Sequence, residues 1–236
     1  MIAMITAIPA LSDNYIWIVE TNHHEALIVD PGEAQPVLDY LEAHELEPKV
    51  ILLTHKHEDH VGGVKTLVTK YPDMKVVGPE ETYDYNTQTI SPGESIELLG
   101  DKYRVLPTYG HTSGHVSYIT DTSAFVGDAL FAGGCGRVFT NDYGAGFAGM
   151  QTLRDLPDDL NVYAGHEYTV TNLTFAHDQA PENEAIAEAL TEAKQLQADG
   201  QPTLPTTIAH EKETNLLLMA KDEATFKQLR DIRDTY

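Results

Sequence analysis

The chain has one cysteine among its 236 residues, Cys135, so no intramolecular disulfide can form and nothing assigns the protein to an oxidising compartment. Positive charge is also scarce. Lys and Arg together number 15 against 37 Asp and Glu, a formal net charge of -22. That deficit disfavours a nucleic-acid partner, because phosphate contacts need clustered cations. It also means that an anionic substrate must find a local cationic patch on a repelling surface. Long apolar runs are missing too: no stretch of 18 apolar residues occurs, which argues against a membrane span. The opening "MIAMITAIPALSDNYIWIVE" carries no Lys or Arg ahead of its apolar stretch, and Asp13 interrupts it. It therefore reads as folded body rather than secretory signal, and a cytoplasmic location is expected.

What is present suits a globular protein. At 42% hydrophobic, a chain of this length can bury a substantial core without staples. The first half alternates short β-rich pieces, "MIAMITAI", "YIWIVE", "ALIVD", "KVILLT", "KVVG", "YRVLP", "VSYIT" and "SAFVGD", with helix-like ones. Val37, Leu38, Leu41 and Leu46 mark an amphipathic helix, and "VGGVKTLVTKYP" a second, stopped by Pro72. From about residue 147 the pattern turns helical, and the segment "ENEAIAEALTEAKQLQADG" ends on Gly200. "QPTLPTTIAHEKETN" reads as a connector rich in Pro and Thr. A mixed α/β body over residues 1–169 and a small helical domain over 170–236 are expected.

The densest chemistry lies at "LLTHKHEDHVGG", where His55, His57, Asp59 and His60 follow H-x-H-x-D-H at the end of a strand-like run. Imidazole and carboxylate together suit zinc, iron or manganese, whereas a thiolate site would need more cysteine. Four ligands in six residues exceed what one zinc with an open catalytic position uses, so the spacing hints at two metals. Partners stand at other strand ends: His111 in "YGHTSGH", Asp128 in "FVGDALF" and His166 in "YAGHEY". Ligands from several strand ends can converge on one sheet edge. A lone histidine after a strand is usually a surface or core residue, but this set of matched positions is not what chance supplies. His23, His24, His44, His177 and His210 lack such a context and read as solvent-exposed. His115 and Asp30 are expected to support the ligands by hydrogen bonds rather than to bind metal.

"THKHEDHVGG", "GHTSGH", "GDALFAGGCGR" and "GHEYT" resemble the signatures of the metallo-β-lactamase superfamily and, within it, of the glyoxalase II (hydroxyacylglutathione hydrolase) family. The opening "IPALSDNYIWIV", the "VDPG" turn and the closing Arg230, Arg233, Asp234 and Tyr236 are similar to that family as well. The resemblance implies an α/β (α+β) fold, a four-layer αββα sandwich with a C-terminal helical domain that binds substrate. It implies that His55, His57 and His111 hold one metal, that Asp59, His60 and His166 hold the other, and that Asp128 bridges them. The nucleophile would be a metal-bridging water or hydroxide held between Asp59 and Asp128, with zinc the default and iron or manganese alternatives. Two cations lower the pKa of such a water from about 15.7 towards 7, so no protein base is required. The resemblance further implies hydrolysis of S-D-lactoylglutathione to D-lactate and glutathione, the second step of methylglyoxal detoxification.

A glutathione thioester carries carboxylates, and by the same resemblance Arg137 and Tyr168, with Asn172 on the following helix, would contact it. A monomer with no nucleic-acid or membrane partner is expected. The chain departs from the family at Asn215–Met219, "NLLLM", where the family has an N-P-F-x-R stretch. Loss of that charge-assisted contact would cost about 1.5–3 kcal/mol, roughly ten- to a hundredfold in affinity. Lys212 and Lys221 are candidates to compensate, with the ordinary surface lysine the favoured reading. The competing readings are a persulfide dioxygenase-like enzyme with one iron and a non-catalytic metal-binding protein on the same fold.

Overall fold

Strands β2 (Asn14–Thr21) and β3 (Glu25–Val29) are apolar at consecutive positions because both of their faces are buried. The structure, a computed structural model, describes residues 2–236, with side chains from residue 4 onward. The chain forms two compact units: residues up to Pro107 with Gly114–Asp121, and Thr108–Ser113 with Thr122–Tyr236.

The first unit is built on a six-stranded sheet, in which β1 (Ile2–Ala10), β2 and β3 are antiparallel neighbours. Then β4 (Glu47–Leu52), β5 (Lys75–Gly78) and β6 (Gln88–Thr89) continue parallel to β3. One face, with Ile16, Ile18, Ile28 and Ile51, packs under Val37 and Leu41 of α1 (Ala34–Ala43). Val64 and Leu67 of α3 (Val64–Lys70) join that cluster. Each such side chain contributes about 1.5–3 kcal/mol when fully buried. A short helix, α2 (Glu58–Val61), precedes α3. β7 (Ser95–Leu98), β8 (Asp101–Pro107) and β9 (Val116–Ile119) form an antiparallel meander. Because β3 and β4 run parallel, their carboxyl ends lie side by side, and Asp30 N–H donates to Leu52 O at 2.9 Å. Crevices at such strand ends are where layered α/β proteins place their chemistry.

The second unit pairs β10 (Ser123–Gly127) parallel to β11 (Asn161–Ala164), with β12 (Thr206–Thr207) antiparallel at the side. Its helices are α4 (Tyr143–Arg154), α5 (Thr169–Gln179), α6 (Glu184–Ala198), α7 (Ile208–Thr214) and α8 (Glu223–Asp234). Four of them begin on a side chain that accepts a helix N–H: Asp142, Asn183, Thr207 and Asp222. Leu173 of α5 packs on Ala189, Leu190 and Ala193 of α6, while Phe147 and Phe226 tie α4 to α8.

Two expectations need correction. The segment read as a connector holds α7, because Thr207 caps the His210 N–H and apolar Ile208 is buried despite the flanking Pro202 and Pro205. His23, His24 and His44 are exposed, but His177 and His210 are half-buried, since each sits on a helix packed within the second unit. Among the described residues no helix is long and apolar enough to cross a membrane.

Candidate metal centre

In the first unit the H-x-H-x-D-H stretch leaves the end of β4 beside the end of β3, and Asp30 organises it. Asp30 Oδ1 accepts from Thr54 N (2.8 Å), and its Oδ2 accepts from Thr54 Oγ1 (2.6 Å) and His60 Nδ1 (3.0 Å). Asp30 holds this position with φ at 51°, a left-handed conformation that Asp tolerates better than most residues. Gly32, two residues on, can only be glycine: a Cβ there would stand 1.8 Å from the Asp59 carbonyl oxygen.

These hydrogen bonds fix the tautomers. The carboxylate accepts only, so the His60 proton resides on Nδ1 and the Nε2 lone pair points away. The Thr54 hydroxyl gives its proton to Asp30, so at 3.0 Å it accepts from His55 Nδ1, and His55 Nε2 is likewise a lone pair. That lone pair faces His57 Nδ1 at 3.1 Å, and His60 Nε2 faces Asp59 Oδ2 at 3.6 Å. Two nitrogens on one tetrahedral zinc, each about 2.0–2.1 Å from it, would be roughly 3.3 Å apart. Asn14 Nδ2 steadies Asp59 by donating to its Oδ2 at 3.0 Å. His115 is fully buried, its ring 4.9 Å from that of His55. Asp30, His55 and His60 group within 4.8 Å, but the bonds to Thr54 and His60 make Asp30 an orienting group.

The second unit arrives at the same chemistry by dispersed means. Asp128 follows β10 and His166 follows β11; the two strands are parallel, and Gly165 N–H donates to Gly127 O at 2.9 Å, so both side chains leave the same edge. Asp128 Oδ2 lies 3.3 Å from His111 Nε2 and 3.4 Å from His166 Nε2. His111 Nδ1 is 2.9 Å from Arg137 O; a carbonyl only accepts, so Nδ1 carries the proton and Nε2 turns its lone pair on the carboxylate. Gly136 makes the approach possible, since a Cβ there would lie 2.1 Å from Asp128 O and 2.8 Å from His111 Nδ1. In both units, ring nitrogens of buried imidazoles lie 3.1–3.6 Å from a carboxylate oxygen or another ring nitrogen. Nitrogen and oxygen donors gathered this closely suit zinc, iron or manganese.

The remaining sequence candidates lie in the second unit. Tyr168 stacks on His166 with ring centroids 4.8 Å apart and the planes 8° from parallel. Arg137 is an exposed cation, with Nε 3.2 Å from Asp234 Oδ1 and its guanidinium 5.8 Å from the Phe139 ring. Asn172 is buried; its Nδ2 donates to Ala132 O (3.1 Å) and its Oδ1 accepts from Arg233 Nε (3.2 Å). Cys135 is buried, and burial pushes its thiol above the ordinary value, which removes it as a nucleophile. Lys212 is paired with Asp158 at 2.5 Å, and Lys221 is exposed. Sequence reasoning missed Phe139, 57% exposed with its ring 5.3 Å from that of His111. It also left Arg233 without a role, although burial holds this half-buried guanidinium below its ordinary pKa.

Comparison with known proteins agrees with the geometry. The metallo-beta-lactamase superfamily model matches residues 10–186, and the hydroxyacylglutathione hydrolase C-terminus model matches residues 167–236. A hydroxyacylglutathione hydrolase of Glaesserella parasuis is 48% identical over 98% of this chain and 99% of its own. The chain belongs to the hydroxyacylglutathione hydrolase family. Its fold is the metallo-β-lactamase fold, of the α/β class. The crystal structure of ETHE1 from Myxococcus xanthus shares that fold with a TM-score of 0.75 and 22% identity, covering 97% of this chain and 90% of its own. TTHA1623, solved in a di-iron-bound form, is 25% identical with a TM-score of 0.63 over 90% of this chain and 98% of its own. Fold, family and donor set together make this a divalent-metal-binding member.

Proposed function

We propose that the protein is a thioester hydrolase that cleaves S-2-hydroxyacylglutathione, S-D-lactoylglutathione foremost, to D-lactate and glutathione, the second step of methylglyoxal detoxification. The observation that carries this reading is Asp128 Oδ2, set 3.3 and 3.4 Å from two histidine Nε2 atoms in a chain of this family. His55, His57 and His111 would hold one ion, Asp59, His60 and His166 the second, and Asp128 would bridge. Zinc is the ion we assign, and the di-iron form of the relative TTHA1623 supports a site for two. Two divalent ions, when bound, would lower the pKa of a bound water from about 15.7 towards 7 and polarise the thioester carbonyl, with Asp59 and Asp128 the carboxylates that would hold that water.

The chain's own residues do the rest. Asp30 and the Arg137 carbonyl orient the ligand imidazoles by accepting from Nδ1 of His60 and of His111, which leaves each Nε2 to face the site. The reaction adds water across the acyl C–S bond: the acyl carbon gains the hydroxyl oxygen, the sulfur departs as glutathione thiolate, and the released proton passes to solvent. A thiolate leaves readily, so no strong general acid is required. For an anionic substrate on a chain of net charge -22, Arg137 and Arg233 supply local cations, and Tyr168 offers a ring and a hydroxyl. Asn172 contributes by orienting Arg233. Residues 1–169 would carry the chemistry and 170–236 the substrate contacts.

The test is hydrolysis of S-D-lactoylglutathione by purified protein, by metal-stripped protein, and by protein to which zinc is returned. Turnover lost on stripping and restored by zinc is expected. No turnover in any metal form would overturn the reading.

A further inference from the structure

The turn Phe131–Gly134 and the residues after it carry the Arg137 carbonyl to His111, and side chains from far along the chain hold this loop at almost every peptide. Phe131 and Gly134 exchange backbone hydrogen bonds at 3.0 Å, which closes the turn. Asn215 Nδ2 donates to Phe131 O (3.2 Å) and to Gly134 O (2.9 Å). Gly133 N–H donates to Glu211 Oε2 at 2.9 Å. Asn172 holds Ala132 O, and Arg230 Nη1 donates to Cys135 O at 2.6 Å. Gly136 N–H then donates to Asp128 O (3.1 Å), and Arg137 O meets His111.

Glu211 is the centre of this arrangement. Its side chain is fully buried on α7, and burial raises its pKa although three donors oppose the shift. Besides Gly133 N–H, it accepts from Asn215 Nδ2 at 2.9 Å on Oε2 and from Thr206 Oγ1 at 2.8 Å on Oε1. Asn215 Oδ1 in turn accepts from Leu217 N and Leu218 N, both at 3.1 Å, which anchors the amide in the chain that follows α7. A buried carboxylate is costly to desolvate, and here it is placed where its acceptors lock a glycine-rich turn.

We propose that Glu211 and Asn215 are positioning residues, which fix the loop so that the Arg137 carbonyl holds the His111 imidazole with its proton on Nδ1 and its Nε2 lone pair aimed at Asp128. The inference rests on the reading of His111 as a metal ligand for its consequence, but not for the clamp itself. Groups that orient a ligand histidine typically change metal affinity by about 10–100-fold when removed.

The experiment compares the full-length chain with Glu211→Ala and Glu211→Gln. Gln can still accept from the Gly133 N–H, and the Thr206 hydroxyl can reverse to accept from the new amide, so Gln is the rescue variant. Two readouts are taken: the slowly exchanging His111 Nδ1–H proton resonance, and affinity for cobalt(II) followed by its absorption bands. We expect Glu211→Ala to lose the resonance and to bind one cobalt equivalent about tenfold more weakly, with Glu211→Gln within about threefold of wild type. A general loss of stability would weaken both equivalents together and would not single out one. If Glu211→Ala keeps both the resonance and the affinity, or loses stability alone, the proposal is overturned. Should that variant fail to fold, Asn215→Ala, which leaves Glu211 two of its donors, is read in the same way. A wild-type chain that takes up no cobalt would overturn the metal reading, while the His111 resonance still decides the clamp.

Discussion

The two units prepare the same kind of donor in opposite ways. In the first, four candidate ligands lie within six residues, and one carboxylate, Asp30, orients His60 directly and His55 through Thr54. In the second, His111, Asp128 and His166 are far apart in sequence, and the loop whose Arg137 carbonyl meets His111 is tied down by Glu211, Asn215 and Arg230. A contiguous motif needs only a strand end and one good hydrogen-bonding partner. A dispersed one inherits its precision from whatever packs the intervening loops, so its half of the site should be the more sensitive to substitutions remote from it.

The largest effects should come from the ligands themselves and be the same in both units. His55→Ala in the first and His166→Ala in the second are each expected to lower turnover of lactoylglutathione at least about a thousandfold, since a preorganised electrostatic site of this kind supplies several kcal/mol of the barrier reduction. Measured metal content should fall by about one equivalent in each. A variant of either residue that keeps full metal and full rate would break the comparison by removing one half from the site.

Next comes the orienting carboxylate. Asp30→Asn keeps the shape but puts an amide where two acceptor oxygens served Thr54 and His60. We expect metal affinity to fall about 10–100-fold, with much of the rate recovered at high zinc. If Asp30→Asn behaves like wild type, the tautomer argument for the first unit is wrong and the symmetry between the units is lost.

Substrate contacts should follow, at smaller cost. Arg137→Ala removes an exposed guanidinium that lies over Phe139, and KM should rise about ten- to a hundredfold while kcat changes little. Within "NLLLM", Asn215, Leu217 and Leu218 are buried and Met219 is 45% exposed, so Met219→Arg can be made without disturbing the core. We propose that it lowers KM by up to about tenfold. A KM already ordinary for the family, and unmoved by Met219→Arg, would show that the missing arginine is not needed here.

The comparison also explains what could be read from sequence. The H-x-H-x-D-H stretch and the strands before it were legible because their signal is local: consecutive apolar residues, then ligands. His111, Asp128 and His166 were legible only as a repeated syntax of strand, glycine and ligand. Glu211 was not legible at all. In "AHEKE" it looks like one more charge on a solvated face, and its full burial becomes visible only when Gly133, Thr206 and Asn215 are brought around it. α7 was missed for a related reason: prolines at 202 and 205 dominate a short window, while the helix owes its stability to the Thr207 cap and to tertiary burial of Ile208 and Glu211. Phe139 was missed because an exposed aromatic carries no periodic signal.

The smallest expected effect tests how far the second unit depends on remote anchoring. Asp222 caps α8, the helix that carries Arg230 and Arg233, and its Oδ1 accepts from Thr225 N–H at 2.8 Å. Hydrogen bonding to Thr225 holds its carboxyl below the ordinary value of 3.8. A folded-state pKa depressed in this way adds stability that is fully present above the unfolded value and is lost as pH falls through the folded one. Asp222→Ala should therefore lower the melting temperature by a few degrees at neutral pH, and the gap from wild type should close as pH drops below the ordinary Asp range. Cobalt affinity at the His111 side should weaken slightly in the same variant, because Arg230 holds the Cys135 carbonyl from α8. A gap that stays constant down to acid pH would assign the cap's effect to helix propensity rather than to the ionised carboxylate. A cobalt affinity that does not move would confine the dependence of the loop to Glu211 and Asn215 on α7 and the residue after it.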